Sequence, residues 1–503
     1  MREHRDPFKS KHRRNTMIDL TIDKKTLDSN IKYCREKGIT LPTFEMMKNP
    51  ELVPQEIKDK LKNIGLWDIN PANLYRISWK NEQKESGGLY GDVNHIVLPP
   101  ELTGCKANIV VLSGKYFPTG AHKVGATFGC LSPRLTTGQF DPMKTKAVWP
   151  STGNYCRGGA YISALLACQA IAILPEEMSE ERFNWLKEVA GEIIATPGCE
   201  SNVKEIFDKC NELKASGEDL RIFNQFDELG NPLWHYNVTG SAVEELIKKY
   251  VTGNKRYAGL VSSSGSGGTM AAGYYMKTKY PKSKLVVAEA LQCPTLLQNG
   301  FGGHRIEGIG DKHVPWVHNC KDTDFVVAVD DEKSMRMIRL FNEPAGRKAL
   351  AAQGVDPQLI EQLDLLGISG CANVIAAIKY AKYNELTNDD YVVTIATDSM
   401  QLYGSRLKEL EADRGASSDF DAQRDIELLN SVTYDNLKEL TYSDRKAVHN
   451  LKYFTWIEQQ GSPLAELNAQ WYDHDNYWYK TFEQVSQIDE LIKDFNDKVG
   501  LLK

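Results

Sequence analysis

Residues 262 to 269 read Ser262-Ser263-Ser264-Gly265-Ser266-Gly267-Gly268-Thr269. This loop lies between a short β-branched run at 259–261 and a helical pattern at 271–276. Glycines let backbone N–H groups converge on one point, and the N-terminus of the following helix adds partial positive charge. The segment therefore predicts a strand, a phosphate-binding loop and a helix in succession, with an ordinary tight turn as the alternative.

The kind of phosphate follows from what this loop lacks. A Walker A loop ends in Gly-Lys-Ser/Thr, but no lysine follows Gly268, so ATP is a poor candidate. A dinucleotide fingerprint is nearer, because Gly265-x-Gly267 is present and Glu289 ends the next β-branched run, where an acid that binds ribose would lie. Met270 replaces the third glycine of that fingerprint. A nucleotide-binding oxidoreductase remains an alternative that rests on these residues alone.

Outward from this loop, short β-branched runs alternate with helical segments. The runs lie at 108–112, 147–149, 170–174, 192–195, 259–261, 284–288, 325–329 and 391–395. Strands separated by helices are typical of parallel β-α-β units. The predicted fold class is therefore α/β.

Length and texture predict several domains. The chain has 503 residues, and about 150 residues per domain would give two or three domains. We predict an N-terminal extension of the large domain at 1–100, a smaller α/β domain at 101–240 and a larger α/β domain at 241–407. The strand pattern stops near 407, and residues 408–503 predict a helical C-terminal extension.

Composition limits the classes of partner. The 61 basic and 67 acidic residues give a net charge of −6, so the chain has no overall attraction for nucleic acid or an anionic membrane. We find no run of about 18 apolar residues that would span a membrane. The basic N-terminus also lacks the apolar segment of a signal peptide, which favours a cytoplasmic protein. The ten cysteines include no C-x-x-C pair, so buried thiols in a reducing compartment are favoured over a metal site or disulfides.

Two further segments place polar residues at the end of a predicted strand. Residues 117–123 follow the run at 108–112 and put Lys123 just inside a helix start, where the helix dipole disfavours a cation. Lys123 is then either a surface lysine or a residue with a chemical role. Residues 150–155 follow the run at 147–149, and their hydroxyl, amide and N–H groups suit a carboxylate. Taken alone, that second segment is equally a helix cap.

Together the three segments resemble the fold type II family of pyridoxal phosphate (PLP) enzymes, most closely its cysteine synthase and cystathionine β-synthase branch. The resemblance covers about residues 108 to 403. Its further matches are 170–197, Asn224-Gln225-Phe226, Gly303 to Gly310, Gly367-Ile368-Ser369 and Thr397-Asp398-Ser399. The family implies two open, twisted, mostly parallel sheets flanked by helices, a small amino-acid substrate and a homodimer.

The resemblance also implies which residues bind the cofactor. Lys123 would bind it covalently through its amine and later act as a base. Asn154 would hold the 3'-oxygen of the cofactor, and Ser399 would face its pyridine nitrogen. The cofactor phosphate would be held by Gly265, Ser266, Gly267, Gly268 and Thr269.

The same resemblance implies how the substrate is held. Its α-carboxylate would lie in the loop at 151–154, and the segments suited to close over it are the loop Gly308-Ile309-Gly310 and the helix after Tyr155. The implied substrate-binding residues are Ser151, Thr152, Gly153, Asn154, Gln225 and Gly308.

The reaction type follows from Ser399. A hydroxyl opposite the pyridine nitrogen leaves the ring a weaker electron sink than an aspartate would, which favours rapid loss of a β-substituent. The family therefore implies β-elimination or β-replacement on a β-substituted amino acid, with cysteine synthase-like sulfur chemistry expected. The alternatives are a lyase, either a desulfhydrase or an ammonia-lyase, that releases a keto acid, and a non-catalytic subunit that keeps the fold for binding.

Three departures from the branch leave the substrate open. Ala121-His122-Lys123 is more similar to the tryptophan synthase β branch than to the usual S-V-K-D-R. Tyr155 replaces the usual threonine, and Met400-Gln401-Leu402 replaces the G-E-R that follows the serine.

Overall fold

The computed structural model of the protein describes residues 17–83, 88–151 and 153–502. Thr152, one of the residues predicted to bind the carboxylate, lies outside the described residues. The strands are β1 (His95–Leu98), β2 (Asn108–Ser113), β3 (Lys146–Pro150), β4 (Ala170–Pro175), β5 (Glu192–Thr196), β6 (Leu220–Ile222), β7 (Arg256–Ser263), β8 (Lys284–Ala290), β9 (Phe325–Val329), β10 (Asp390–Ala396) and β11 (Leu437–Glu439).

These strands form two sheets. The larger sheet has the order β1-β2-β10-β7-β8-β9-β11, with parallel pairs in its centre and antiparallel pairs where β1 and β11 form its edges. The smaller sheet has the order β5-β4-β3-β6 and is parallel throughout. The α/β fold class with two mostly parallel sheets is confirmed.

Helices cover the sheets and connect their strands. The α-helices are α1 (Lys24–Lys37), α2 (Phe44–Lys48), α3 (Gln55–Leu61), α4 (Pro100–Thr103), α5 (Lys123–Thr137), α6 (Asn154–Leu165), α7 (Glu180–Val189), α8 (Val203–Ala215), α9 (Gly230–Trp234), α10 (Gly240–Tyr250), α11 (Ala271–Lys279), α12 (Thr295–Gln298), α13 (Asp331–Asn342), α14 (Pro344–Ala352), α15 (Pro357–Gln362), α16 (Ile368–Tyr383), α17 (Gly404–Arg414), α18 (Asp419–Asn430), α19 (Tyr442–Lys452), α20 (Leu464–Tyr472), α21 (Lys480–Glu483) and α22 (Val485–Val499).

Shorter helical turns complete the secondary structure. Three π-helical segments lie at His235–Thr239, Tyr453–Gln459 and Asp475–Tyr479. The 3-10 turns are Pro50–Leu52, Pro71–Arg76, Pro118–Gly120, Gly268–Met270, Cys320–Asp322, Leu363–Leu365 and Met400–Leu402.

The central strands of the larger sheet are buried on both faces. In β10, Val392 and Ala396 pack into one hydrophobic cluster, whereas Val393 and Ile395 pack into the other. A parallel strand covered by helices on both sides therefore reads as a continuous apolar run, which is why such runs predicted strands. All eight predicted strands are present.

Three strands were not predicted from the sequence. They are β1, β6 and β11, each of three or four residues at the edge of a sheet. The expectation that strands stop near residue 407 is wrong, because β11 pairs with β9. Edge strands this short carry too few residues for a pattern. The domain boundaries at 100, 240 and 407 remain predictions, although β2, from the segment assigned to the smaller domain, lies in the larger sheet.

The two ends of the described chain pack together against α5. Helix α22 contacts α1 and α5, and α5 begins at Lys123. Asn496 of α22 donates to the backbone oxygen of Leu41 at 2.8 Å and accepts from its N–H at 3.0 Å. The C-terminal extension is therefore part of the support of the helix that carries the lysine.

All ten cysteines are free thiols, and most of them are buried. Among the described residues, no single helix is long and apolar enough to cross a membrane. One sharply bent pair of helical segments, Pro357–Leu365 and Ile368–Tyr383, has the length and apolar composition of a span when the two are taken together.

We expect Ile492→Ala to lower the free energy of unfolding by about 2 to 5 kcal/mol, because the side chain of Ile492 in α22 is fully buried and its removal leaves a cavity. Denaturant unfolding measures the change. Asp497→Ala, on the exposed face of the same helix, is the matched control and should change stability by less than about 0.5 kcal/mol. Equal stability of the two variants would contradict the supporting role of α22.

Candidate active site

The three predicted loops meet in two adjoining cavities at the carboxyl ends of the strands. One cavity is lined by Lys123, Ser151, Asn154, Tyr155, Gln225, Phe226, Gly265, Ser266, Gly308, Asp311 and Thr397. The second is lined by Lys123, Ser262, Ser263, Gly265, Ser266, Gly267, Thr269, Gly308, Ile309, Asn373, Ile395 and Thr397. We call the first the substrate-side cavity and the second the loop-side cavity. Lys123 lies where they join.

Lys123 is buried, with 8% of its surface exposed, so it is not a surface lysine. Its Nζ donates to Ser266 Oγ at 2.9 Å, and Asn231 Nδ2 donates to the same oxygen at 3.0 Å. Burial lowers the pKa of Lys123 to about 8, although the nearby carboxylates of Asp311 and Glu200 act in the opposite direction. Near neutral pH this amine is therefore much closer to its nucleophilic neutral form than an exposed lysine is.

The glycine loop between β7 and α11 packs so closely on its neighbours that side chains at several positions would clash. Gly267 has a φ of 84°, in the left-handed region that favours glycine. A Cβ at Gly268 would lie 2.0 Å from Asn231 Oδ1, and one at Gly265 would lie 2.6 Å from the backbone oxygen of Gly308. Gly265, Ser266, Gly267 and Thr269 line the loop-side cavity, whereas Gly268 packs against Asn231.

The carboxylate loop lies on the other side of Lys123. Gly153, with a φ of 146°, precedes Asn154, the first residue of α6, and its N–H donates to Ser151 Oγ at 3.0 Å. Gln225 Nε2 lies 3.5 Å from the same hydroxyl. Ser151, Asn154 and Gln225 line the substrate-side cavity, and Gly308 lines both cavities. The structure thus brings together the predicted carboxylate and phosphate segments.

Asn154 is held by a carboxylate for which the sequence suggested no role. Its Nδ2 donates to Asp398 Oδ2 at 2.6 Å, and Tyr403 Oη donates to the same oxygen at 2.7 Å. Asn154 Oδ1 is buried and has no hydrogen-bond partner among the described residues. Asp398 therefore fixes the direction of the Asn154 amide.

Arg182 of α7 supports this arrangement from the side of the smaller sheet. Its guanidinium is fully buried, donates to Tyr403 Oη at 2.8 Å and pairs with Glu307. A Cβ at Gly153 would lie 2.8 Å from Arg182 Nη1, so the carboxylate loop runs directly over the guanidinium. No local pattern around Arg182 indicated this contact, because Glu307 is 125 residues away in the sequence.

Ser399 follows Asp398 at the end of β10 and is completely buried. Within the part of the chain that the structure describes, its Oγ has no hydrogen-bond partner, and Ser399 lines neither cavity. Buried polar groups are normally paired, so the free Oδ1 of Asn154, a residue that lines the substrate-side cavity, fits a polar group that the protein chain does not supply. With the glycine cradle and the buried amine of Lys123, Asn154 fits the phosphorylated pyridine cofactor that the sequence resemblance implied.

Glu289 does not support a dinucleotide site. Its carboxylate accepts the backbone N–H groups of Leu296 and Leu297 at 2.8 Å each, at the start of α12, and it lines neither cavity. Glu289 thus binds the backbone at the start of α12. The nucleotide-binding alternative therefore loses the acidic residue that was expected to bind the ribose.

Other residues that line the substrate-side cavity were not assigned to it from the sequence. Asp311, Phe226 and Thr397 lie beside Lys123 and the carboxylate loop. Asp311 directly follows the Gly308-Ile309-Gly310 motif, and this position beside the motif was the signal that could have identified it.

Comparisons with known proteins agree with this geometry. Cysteine synthase from Staphylococcus aureus is 29% identical over 289 residues, which covers 57% of this chain and 84% of that protein. Cystathionine beta-synthase from Saccharomyces cerevisiae is 27% identical over 321 residues, covering 62% of this chain and 60% of the relative. The crystal structure of a hydrogen sulfide-producing enzyme from Fusobacterium nucleatum has a similar fold, with a TM-score of 0.53, 22% identity, and coverage of 61% of this chain and 95% of that one.

The family assignment rests on the family model described as pyridoxal-phosphate dependent enzyme, which matches residues 100–398, more than half of the chain. The matched segment contains Lys123, both loops and the strand end at Asp398. The chain belongs to the pyridoxal-phosphate dependent enzyme family, and its cofactor is pyridoxal phosphate.

Proposed function

We propose that the protein catalyses β-replacement on a β-substituted α-amino acid, with sulfur chemistry like that of cysteine synthase. The observation that carries this proposal is the substrate-side cavity, in which a buried amine, a carboxylate loop and the edge of the glycine loop face one another. The relatives named cysteine synthase and cystathionine beta-synthase support the same class of reaction.

Each cofactor-binding role is part of this proposal. Gly265, Ser266, Gly267, Gly268 and Thr269 hold the cofactor phosphate with backbone N–H groups and hydroxyls at the start of α11. Asn154 contacts the 3'-oxygen, and Ser399 faces the pyridine nitrogen. When bound, the cofactor withdraws electrons from the substrate Cα, which makes the proton there acidic.

The substrate carboxylate lies at the N-terminus of α6 in our proposal. The residues that hold it are Ser151, Thr152, Gly153, Asn154 and Gln225, and Gly308 closes the opposite wall. An anion is favoured here because the first N–H groups of the helix have no partner within it and carry partial positive charge. This placement puts the substrate Cα beside Lys123, which also attaches the cofactor.

Lys123 acts as the base in this proposal. When substrate is bound, the neutral amine of Lys123 would accept the Cα proton. The lowered pKa of Lys123, which results from burial, supports that role because a larger fraction of this amine is neutral near pH 7 than of an exposed lysine. The same residue argues against a non-catalytic subunit, which would not need a buried amine in the cavity.

The fate of the substrate after loss of its β-substituent depends on water. Tyr155 and Phe226 line the substrate-side cavity and are almost completely buried, as are Ser151 and Gln225, so little of the cavity lining is open to solvent. An enclosed cavity excludes water and favours addition of a thiol or sulfide over release of a keto acid. A lyase, either a desulfhydrase or an ammonia-lyase, is the alternative that the product test below distinguishes.

The surroundings of the protein are also proposals. We infer that it works in the cytoplasm, in agreement with its ten free cysteines, and that it forms a homodimer without nucleic-acid or membrane partners.

The first prediction concerns Lys123. Cofactor-free protein should attach pyridoxal phosphate at Lys123 with a rate that rises with pH and reaches half its maximum near pH 8, because the neutral amine reacts and burial lowers its pKa to about 8 from 10.5. Borohydride reduction followed by peptide mass spectrometry locates the attachment. Lys123→Ala is the control and should take up no fixed cofactor. Attachment at another lysine, or a midpoint near 10, would contradict the assignment.

The second prediction concerns the phosphate cradle. Gly268→Ala should weaken retention of pyridoxal phosphate by about tenfold or more, because the new Cβ would overlap Asn231 and displace the loop. Titration of cofactor-free protein, followed by absorbance, gives the dissociation constant. Gly91→Ala is the matched control, since its Cβ would meet no atom closer than 4.0 Å. Unchanged affinity in Gly268→Ala would place the phosphate elsewhere.

The third prediction separates synthase from lyase. With O-acetylserine, serine or cysteine, the absorbance of the bound cofactor should change, and product should accumulate only when sulfide or another thiol is supplied. Pyruvate assayed in the absence of a thiol should be scarce, because the buried lining of the substrate-side cavity excludes water. Rapid pyruvate formation without any added nucleophile would assign the protein to the lyases.

A further inference from the structure

The substrate-side cavity contains a carboxyl group that the proposed reaction has not yet used. Asp311 lines this cavity together with Lys123, Asn154 and Gln225, and it does not line the loop-side cavity. Only 6% of the surface of Asp311 is exposed, and its Oδ2 has no hydrogen-bond partner among the described residues. A buried carboxyl oxygen without a partner, on a residue that lines a substrate cavity, is available for chemistry.

The backbone of Asp311 is fixed on both sides. Gly310 N–H donates to the backbone oxygen of Ser264 at 2.8 Å, and Thr295 Oγ1 donates to the backbone oxygen of Asp311 at 2.7 Å. Gly310 has a φ of 75°, and a Cβ there would lie 2.4 Å from His304 Nε2. These constraints preorganise the position of the carboxyl group, so a substrate meets it without rearrangement of the loop.

The charged groups around Asp311 favour its neutral form. Burial raises the pKa of Asp311 well above its usual range, and the carboxylate of Glu200, from the segment before α8, raises it further. Lys123, from α5, acts in the opposite direction. A carboxyl group with a raised pKa holds its proton to a higher pH than an ordinary aspartic acid does, and it can donate that proton during a reaction.

We propose that Asp311 is a catalytic acid that protonates the group leaving Cβ, so that the substrate is an amino acid with an unactivated β-hydroxyl or β-thiol. This inference rests on the proposed function. Acetate leaves readily as an anion, whereas hydroxide and thiolate are poorer leaving groups that benefit from a proton. An acid in the cavity is therefore of most use for substrates such as serine or cysteine.

The proton balance closes over the full reaction. Lys123 takes the proton from Cα, the Cβ–O bond breaks, and its electron pair leaves with the oxygen. Asp311 donates its proton to that oxygen, which departs as water. The thiol loses its proton to solvent and adds to Cβ as the thiolate, the ionised Asp311 recovers a proton from solvent, and Lys123 returns its proton to Cα. Serine and a thiol thus give a thioether amino acid and water, without an oxidant or reductant.

The test compares two substrates in the cofactor-loaded protein. Asp311→Asn, which keeps the shape but has no acidic proton, should reduce thiol-dependent turnover of serine by about 100-fold or more and that of O-acetylserine by less than about threefold. Lys312→Ala, an exposed neighbour in the same loop, is the matched control and should leave both rates unchanged. The absorbance of the cofactor and the melting temperature show whether each variant is folded and loaded.

A second measurement uses the unaltered protein. The ratio of serine turnover to O-acetylserine turnover should fall as pH rises through the pKa of Asp311, since the acid is lost on deprotonation. The ionisation of groups that act on both substrates, including Lys123 and Glu200, changes both rates by the same factor and therefore leaves this ratio unchanged. The profile decides the question if Asp311→Asn does not retain the cofactor.

The outcomes separate the inference from the function on which it rests. Equal losses on both substrates, a ratio independent of pH, or turnover of O-acetylserine but not serine by the unaltered protein would overturn the role of Asp311 and leave the proposed function standing. No reaction of the loaded, unaltered protein with either substrate would overturn the proposed function itself.

Discussion

The shape of the active site depends on the contacts that the buried guanidinium of Arg182 makes with Glu307 and Tyr403. Arg182 lies in α7, between two strands of the smaller sheet, and it pairs with Glu307 and Tyr403 from loops of the larger sheet. Arg406 donates to the other oxygen of Glu307 at 2.6 Å. A buried charge without a partner would cost several kcal/mol, so these groups keep the two sheets in one relative position. Both the carboxylate loop and Asn154 are held against this network.

A second constraint is the removal of Lys123 from water. Its amine is enclosed by the glycine loop, the carboxylate loop and the segment that carries Asp311. Enclosure lowers the pKa of the amine and raises that of the acid, so two groups that would both be charged in water approach their neutral forms. An amine that can accept a proton and an acid that can donate one then share a cavity, as stepwise chemistry at Cα and Cβ requires.

The C-terminal extension reaches the site through a group of aromatic side chains. Trp456, in the π-helical segment Tyr453–Gln459, donates to the backbone oxygen of Val314 at 2.9 Å and lies 5.8 Å from the ring of His313. His313 in turn lies 4.9 Å from Phe226, which lines the substrate-side cavity. The extension therefore supports the segment that carries Asp311, as well as the helix that begins at Lys123.

The sequence by itself determined the eight main strands, the α/β class and the three loops at strand ends. Each of these depends on neighbouring residues: apolar runs buried on both faces, glycines that let backbone N–H groups converge, and polar residues before a helix. Only the tertiary structure decided three other features: the short edge strands, the hydrogen bond between Asn154 and Asp398, and the contacts of Arg182. Asn154 and Asp398 are 244 residues apart, and no local pattern records a contact made across that distance. For the same reason Asp311 was visible in the sequence as one residue after a glycine motif, and only the folded cavity placed its carboxyl group beside Lys123.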